Sequence, residues 1–102
     1  MKEKKQFGLI GRNIDYSFSR NYFTKKFSAI ETLSNYEYLN FDIESVEEVT
    51  SIFKQKNIYG LNVTIPYKES IIKYLDELDN IAFEIGSVNT ICYEDKKKIG
   101  YN

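Results

Sequence analysis

Strand-like and helix-like patterns of apolar residues alternate along the whole chain. Short apolar runs next to glycine, such as residues 7–10, are typical of strands. Apolar residues three or four positions apart, such as Phe23, Phe27 and Ile30, are typical of one face of a helix. Because parallel strands are usually joined through a helix, this alternation predicts an α/β fold. We expect a three-layer αβα sandwich.

The predicted elements fill the chain without an internal repeat or a linker, and 102 residues suit one domain, 1–102, with a single core. We expect strands at residues 7–10, 36–41, 60–64, 88–93 and 99–101. We expect helices from Ser19 as N-cap to about residue 33, from a capping box at Ser45 and Glu48, from Pro66 through Leu78, and from Asp79 to Ile85. The last two strands should pair through a turn near residues 94–97, which gives a mostly parallel sheet with an antiparallel hairpin at its edge.

Composition excludes several classes of function. Fourteen basic and fifteen acidic residues leave a net charge of -1, so the chain has no electrostatic footprint for nucleic acid. No apolar run is long enough for membrane insertion or export. The absence of histidine argues against a zinc site or a histidine base, and we expect no bound metal. Cys92 is the single cysteine, so no internal disulfide can form, and we expect a cytoplasmic location.

Two serines follow the first predicted strand, at positions 17 and 19. Ligands of open α/β sheets bind beyond the carboxyl ends of strands, where helix N-termini also lie. The hydroxyls of Ser17 and Ser19, with the free N–H groups of a helix start, can hold a carboxylate. The alternative is that Ser19 only caps the helix and Ser17 is an ordinary loop residue.

Residues 62–68, Asn-Val-Thr-Ile-Pro-Tyr-Lys, break the pattern of a buried strand. Asn62 and Thr64 should share one face of that strand. The other face should carry Leu61, Val63 and Ile65. Polar side chains in such a place need partners.

Lys68 falls in the first turn of the helix predicted to start at Pro66. The positive end of a helix dipole should favour loss of the proton from its amine, and such a lysine can act as a general acid or base. The alternative is a surface lysine that pairs with Glu69 or Glu48, together with an asparagine, Asn62, that caps the end of the strand.

Asn89 stands at the start of the predicted fourth strand, after a tight turn at Gly86. Its carboxamide can both donate to and accept from a ligand hydroxyl, or it can hold a neighbouring loop in place. Residues 8–11, Gly-Leu-Ile-Gly, also follow a strand but lack the G-x-G-x-x-G spacing that holds a pyrophosphate. We therefore do not predict a nucleotide site there.

Taken in order and with their spacing, these stretches make the chain similar to the amino-terminal domain of shikimate dehydrogenases. The similarity extends over essentially the whole chain. It rests on the blocks Ser-Phe-Ser at 17–19, Gly-Leu-Asn-Val-Thr-Ile-Pro-Tyr-Lys at 60–68, Gly-Ser-Val-Asn-Thr at 86–90 and Gly-Tyr-Asn at 100–102.

The resemblance implies an enzyme that interconverts 3-dehydroshikimate and shikimate with NADPH. Ser17 and Ser19 would bind the substrate carboxylate, and Lys68 would be the acid/base residue. The ring hydroxyls would be contacted by Thr64, Lys68 and Asn89, and Asn62 is a further candidate for substrate binding.

The chain departs from the family pattern in two places. Arg20 stands where the family usually has proline, which is a local detail. The family's closing block reads G-x-N-T-D, whereas this chain ends at Asn102, before that aspartate and before the domain that binds NADP. We therefore expect the chain alone to be inactive.

Two alternatives to the enzyme domain remain open from the sequence. The chain can be a stand-alone, non-catalytic module that binds a carboxylate metabolite in the same pocket. It can also be an interaction domain that associates with itself through the apolar surface where another domain would pack.

Overall fold

The computed structural model describes residues 4–14, 18–29 and 35–102. Six strands form one sheet in these ranges: β1 Lys5–Gly11, β2 Tyr36–Asp42, β3 Ile58–Val63, β4 Glu77–Leu78, β5 Thr90–Glu94 and β6 Lys97–Tyr101. The α-helices are α1 Phe18–Ala29, α2 Val49–Phe53 and α3 Asn80–Ile85, and 3-10 helices occupy Val46–Glu48 and Ser70–Tyr74. None of the described helices combines the length and the apolar character needed to cross a membrane.

The sheet has the strand order β2-β1-β3-β5-β6-β4. β1 pairs in parallel with both β2 and β3, and β4 pairs in parallel with β6. β5 is antiparallel to both of its neighbours, β3 and β6. Of the six described strands, β5 alone therefore runs against the others, which confirms the mostly parallel sheet with its antiparallel hairpin.

Apolar side chains pack on both faces of the sheet, as a three-layer sandwich requires. One face carries α1, with Leu9, Tyr38 and Phe23 packed together. The other face carries the remaining helices and the larger cluster, in which Ile10, Ile71 and Ile91 are fully buried. The sandwich predicted from the alternation of elements is confirmed.

Most helix ends lie close to where the sequence placed them. The Asp79 carboxylate accepts a hydrogen bond from the backbone N–H of Ala82 at 2.9 Å, and Gly86 ends α3 in the left-handed region with φ of 74°. The Glu48 carboxylate accepts from the backbone N–H of Ser45 at 3.0 Å, the second half of a capping box. Ser19 is the second residue of α1 rather than its N-cap.

The long helix predicted from Pro66 through Leu78 is wrong. The peptide before Pro66 is cis, only residues 70–74 are helical in this stretch, and they form a 3-10 helix. Leu75 is already extended, and Leu78 lies in β4, where it pairs with Gly100 of β6. A strand partner for residues 77–78 ends the helix, although the apolar spacing suited a longer one.

The hairpin between β5 and β6 turns at Asp95 and Lys96, as predicted. Both residues have positive φ, 49° and 66°, as a two-residue hairpin turn that follows the sheet twist requires. β4 lies outside this hairpin and forms the edge of the sheet.

Tyr93 on β5 has a buried hydroxyl without a hydrogen-bond partner in the described part of the chain. Burial raises the pKa of Tyr93 to about 12. We expect Tyr93→Phe to raise the free energy of unfolding at neutral pH by about 1 kcal/mol, because it removes a desolvated polar group. Urea denaturation of both proteins measures this difference, and a clear loss of stability in the variant would contradict it.

The same residue gives the stability a predictable dependence on pH. A pKa raised above its unfolded value, about 10, means that the folded state holds the proton more tightly, so stability is lost as pH rises from about 10 to about 12. Tyr93→Phe should reduce this loss. Part of it should remain, because a hydrogen bond to Glu94 raises the pKa of Tyr101 to about 12 as well.

Candidate functional site

Backbone hydrogen bonds join three segments at one edge of the sheet. The N–H of Thr64, just after β3, donates to the carbonyl of Ile10 in β1 at 2.9 Å. The N–H of Val63 donates to the carbonyl of Asn89 at 2.9 Å, and the N–H of Asn89 donates to the carbonyl of Tyr101 at 2.9 Å. Since β5 runs antiparallel to β3, its first residues lie beside the carboxyl end of β3. Thr64 and Asn89 are therefore neighbours at the edge where ligands of α/β sheets bind.

Lys68 is connected to the same edge through its backbone. Its carbonyl accepts a hydrogen bond from the N–H of Val88 at 2.8 Å, which places Lys68 next to the segment that carries Asn89. Tyr67 anchors this turn, because its hydroxyl donates to the carbonyl of Ile43 and its N–H donates to the carbonyl of Thr64. The segments of Thr64, Lys68 and Asn89 are thus brought together as predicted.

The environment of Lys68 differs from the prediction. It lies in a turn before the 3-10 helix that begins at Ser70, so it is not in the first turn of an α-helix, where the sequence placed it. Its side chain is half-buried and forms no salt bridge with any carboxylate of the described ranges. The predicted alternative, a pair with Glu69 or Glu48, is not present, and Glu48 instead accepts from the backbone N–H of Ser45.

Asn62 lies on the α1 face of the sheet, and Leu61 and Val63 lie buried on the other, as predicted. The Asn62 side-chain oxygen accepts a hydrogen bond from the Tyr38 hydroxyl at 2.9 Å. Its amide nitrogen lies 3.5 Å from the Thr90 hydroxyl. Both ends of the carboxamide thus have protein partners. Ile65, by contrast, is 73% exposed, because β3 ends before it.

The side chain of Asn89 has one hydrogen-bond partner among the described residues. Its oxygen accepts from the Thr90 hydroxyl at 3.1 Å. Asn102, at the end of β6, donates from its amide to the carbonyl of Ser87 at 3.0 Å, which fixes the turn that leads to Asn89. Asn89 is half-buried, so its amide nitrogen can reach a ligand.

The two candidate serines cannot be placed in full. Ser17 lies outside the described residues, and Ser19 is described only as part of the backbone of α1. α1 packs on β1 and β2 on the same face as Asn62. The helix follows β1, so its N-terminus lies toward the edge that carries Thr64.

Gly8 and Gly11 allow neighbouring side chains to pack closely against the backbone of β1. A Cβ on Gly8 would lie 2.6 Å from the Phe41 ring, and one on Gly11 would lie 2.6 Å from the Thr64 methyl group. These two positions are closed by neighbouring side chains and offer no cradle for a pyrophosphate. The residues present here do not fit a dinucleotide, in agreement with the sequence.

Sequence reasoning missed two residues of this site, Tyr38 and Thr90. Tyr38 is 5% exposed and stacks on Phe23, with ring centroids 4.8 Å apart. Nothing in its local sequence separates it from the other tyrosines, because its link to Asn62 depends on the strand order. Thr90 directly follows Asn89, and this position next to a candidate residue was the one sequence feature that could have indicated a role for Thr90.

The chain is similar to known proteins over nearly its whole length. A family model described as the shikimate dehydrogenase substrate binding domain matches residues 9–91. The NADP(+)-dependent shikimate dehydrogenase of Methanococcus maripaludis is 50% identical over 96% of this chain and 35% of its own length. That of Staphylococcus epidermidis is 38% identical over 97% of this chain and 36% of its own length. The chain thus spans about a third of the length of these relatives.

A solved structure has the same fold. The shikimate 5-dehydrogenase of Listeria monocytogenes, in complex with shikimate and NAD, matches with a TM-score of 0.84 and 33% identity. The match covers 96% of this chain and 34% of that protein. Because the family model matches residues 9–91, most of the chain, the chain belongs to the shikimate dehydrogenase substrate-binding domain family.

Proposed function

We propose that this chain binds shikimate and 3-dehydroshikimate and forms the substrate half of an NADP-dependent shikimate dehydrogenase. The observation that carries the proposal is that the segments of Thr64, Lys68 and Asn89 lie together at one edge of the sheet. Two backbone hydrogen bonds join them, from the N–H of Val63 to the carbonyl of Asn89 and from the N–H of Val88 to the carbonyl of Lys68. A lysine amine, a hydroxyl and a carboxamide on adjoining segments suit a polyhydroxylated ring.

In this proposal Lys68 moves the proton. During reduction of the ketone its ammonium donates a proton to the oxygen that develops negative charge, and in the reverse direction its amine accepts that proton. Thr64 and Asn89 hold ring hydroxyls, and Ser17 and Ser19 bind the carboxylate. Asn62 stays a predicted substrate contact. Its hydrogen bonds with Tyr38 and Thr90 support a second role, in which it holds these two side chains in place.

We further propose that NADP is bound by a part of the enzyme outside these 102 residues and that the protein is cytoplasmic. The cofactor is supported by the names of the relatives, and the location by the single cysteine. In this proposal the residues of this chain bind and orient the substrate and exchange a proton with it.

Titration of the ¹⁵N-labelled chain with shikimate tests the binding site. We expect amide shifts to cluster at residues 17–19, 62–68 and 86–90, and Lys68→Ala and Ser17→Ala to weaken binding. Lys56→Ala is the matched control, because this exposed lysine precedes β3 at the opposite edge of the sheet. Shifts that cluster elsewhere, or equal binding by the Lys68 variant, would reject the site.

A chimera tests the reaction. Residues 1–102 replace the matching third of the Methanococcus maripaludis enzyme, and reduction of 3-dehydroshikimate is followed by loss of NADPH absorbance. We expect activity well above background. A folded chimera that binds shikimate but does not turn over would favour a non-catalytic binding module.

We also propose that the isolated chain associates with itself through exposed apolar side chains. Ile65 and Phe83 are 73% and 75% exposed, and Ile81 and Ile85 of α3 are more than half exposed. We expect sedimentation at the protein concentration of the NMR titration to show dimers, and the double variant Phe83→Ser with Ile81→Ser to reduce them. Tyr59→Ser on the opposite face is the control, and a purely monomeric chain would contradict this proposal.

A further inference from the structure

Four side chains form a continuous row of hydrogen bonds across the sheet, from β2 to the start of β5. We call this row, made of Tyr38, Asn62, Thr90 and Asn89, the amide relay. The Tyr38 hydroxyl lies 2.9 Å from the Asn62 oxygen, the Asn62 nitrogen lies 3.5 Å from the Thr90 oxygen, and that oxygen lies 3.1 Å from the Asn89 oxygen. The relay therefore ends at a side chain that we place in the substrate site.

The donors and acceptors of the relay point in one direction. The Tyr38 hydroxyl donates to the Asn62 oxygen, so the Asn62 nitrogen faces Thr90. A nitrogen with two hydrogens can only donate, and the Thr90 oxygen accepts there. Thr90 has a single proton to give, and it goes to the Asn89 oxygen.

The start of the relay is held rigidly. Tyr38 is 5% exposed, and its ring stacks on Phe23 at an interplanar angle of 24°. The Thr90 backbone pairs with Asn62 between β3 and β5. Because the Tyr38 ring is packed and the Thr90 backbone is paired, the sheet fixes the positions from which their hydroxyls orient the two carboxamides.

We propose that the amide relay presets the Asn89 carboxamide as a hydrogen-bond donor to the ligand. Its oxygen is occupied by Thr90, and its nitrogen has no hydrogen-bond partner among the described residues. The ligand group at Asn89 is thus an oxygen that accepts, a ring hydroxyl or a carbonyl. Thr90 and Tyr38 are positioning residues that act through Asn89, an inference that rests on the proposed function.

Three hydroxyl variants of the ¹⁵N-labelled chain test the positioning role. Thr90→Val removes the hydroxyl at constant shape, Thr90→Ser keeps it, and Tyr38→Phe removes the first donor but keeps the ring stack. We expect Thr90→Val to raise the Kd for shikimate about tenfold, Tyr38→Phe less, and Thr90→Ser less than about twofold. The Asn89 side-chain NH₂ signals should shift in Thr90→Val and stay in Thr90→Ser, with backbone spectra that show all three variants folded.

Asn89→Asp tests the direction of the hydrogen bond. Thr90 can still donate to one carboxylate oxygen, but the other can only accept, so a donor role predicts a loss of affinity. Methyl shikimate, which has no charged carboxylate, should show the same loss as shikimate, which separates the donor role from charge repulsion.

The relay is overturned if Thr90→Val binds like the unsubstituted chain, if Thr90→Ser loses as much affinity as Thr90→Val, or if Asn89→Asp binds methyl shikimate normally. If the unsubstituted chain does not bind shikimate, the proposed function fails. In that case the Asn89 signals of the ligand-free variants still decide whether the relay exists.

Discussion

Lys68→Ala in the chimera with the Methanococcus maripaludis relative should lower kcat about 10²–10⁴-fold, the usual contribution of a general acid or base. Lys68 lies in a turn that is fixed by Tyr67 and by the hydrogen bond from the Val88 N–H to the Lys68 carbonyl. The variant should therefore remove the side-chain amine without moving the backbone. We expect KM for 3-dehydroshikimate to change much less than kcat, because the amine acts mainly when negative charge develops on the ketone oxygen. Steady-state kinetics with NADPH in excess measures both constants.

Two further variants make this result specific. Lys56→Ala in the same chimera should keep full activity, since this lysine lies at the opposite edge of the sheet. Lys68→Arg should keep the charge and recover substrate affinity but little of the rate, because a guanidinium is a poor proton donor. A Lys68→Ala protein with kcat near that of the unsubstituted chimera would remove Lys68 from the mechanism.

Ile10→Ala should lower the free energy of unfolding by about 2–5 kcal/mol. The Ile10 side chain is fully buried on β1, an inner strand that pairs with β2 and β3, and the hydrogen bond from the Thr64 N–H to the Ile10 carbonyl holds the edge of the site in place. A loss of this size is a large fraction of the 5–15 kcal/mol expected for a small domain. Urea denaturation followed by circular dichroism measures the change, and shikimate binding should weaken as unfolded protein accumulates.

The matched control for this substitution is Ile65→Ala. The same side chain is removed at a position that is 73% exposed, so we expect a change within about 0.5 kcal/mol. Similar losses at the two positions would mean that Ile10 does not occupy the core as described.

Local sequence signals predicted the parts of the fold that depend on local chemistry. The cap at Asp79, the left-handed end at Gly86 and the turn at Asp95 and Lys96 each depend on a few adjacent residues, and each lies where expected. The helix expected through Leu78 failed because Leu78 pairs with Gly100, more than twenty positions away. Apolar spacing cannot report such a partner, and pairing with β6 outweighed helix propensity.

The same distinction applies to the site. The proximity of the segments that carry Thr64, Lys68 and Asn89 could be predicted, because their motifs follow or precede strands whose ends converge. The partners of Asn62 could not, because Tyr38 reaches it only when β1 lies between β2 and β3. The predicted helix dipole at Lys68 failed together with the helix on which it depended.

The shortness of β4 affects how the sheet meets other molecules. β4 offers two residues of backbone at its edge of the sheet, and salt bridges from Lys98 to Asp76 and from Lys97 to Glu77 surround it with charge. An incoming strand would find too few free N–H and C=O groups there to template a fibril. The β4 edge of the sheet therefore resists aggregation by strand pairing.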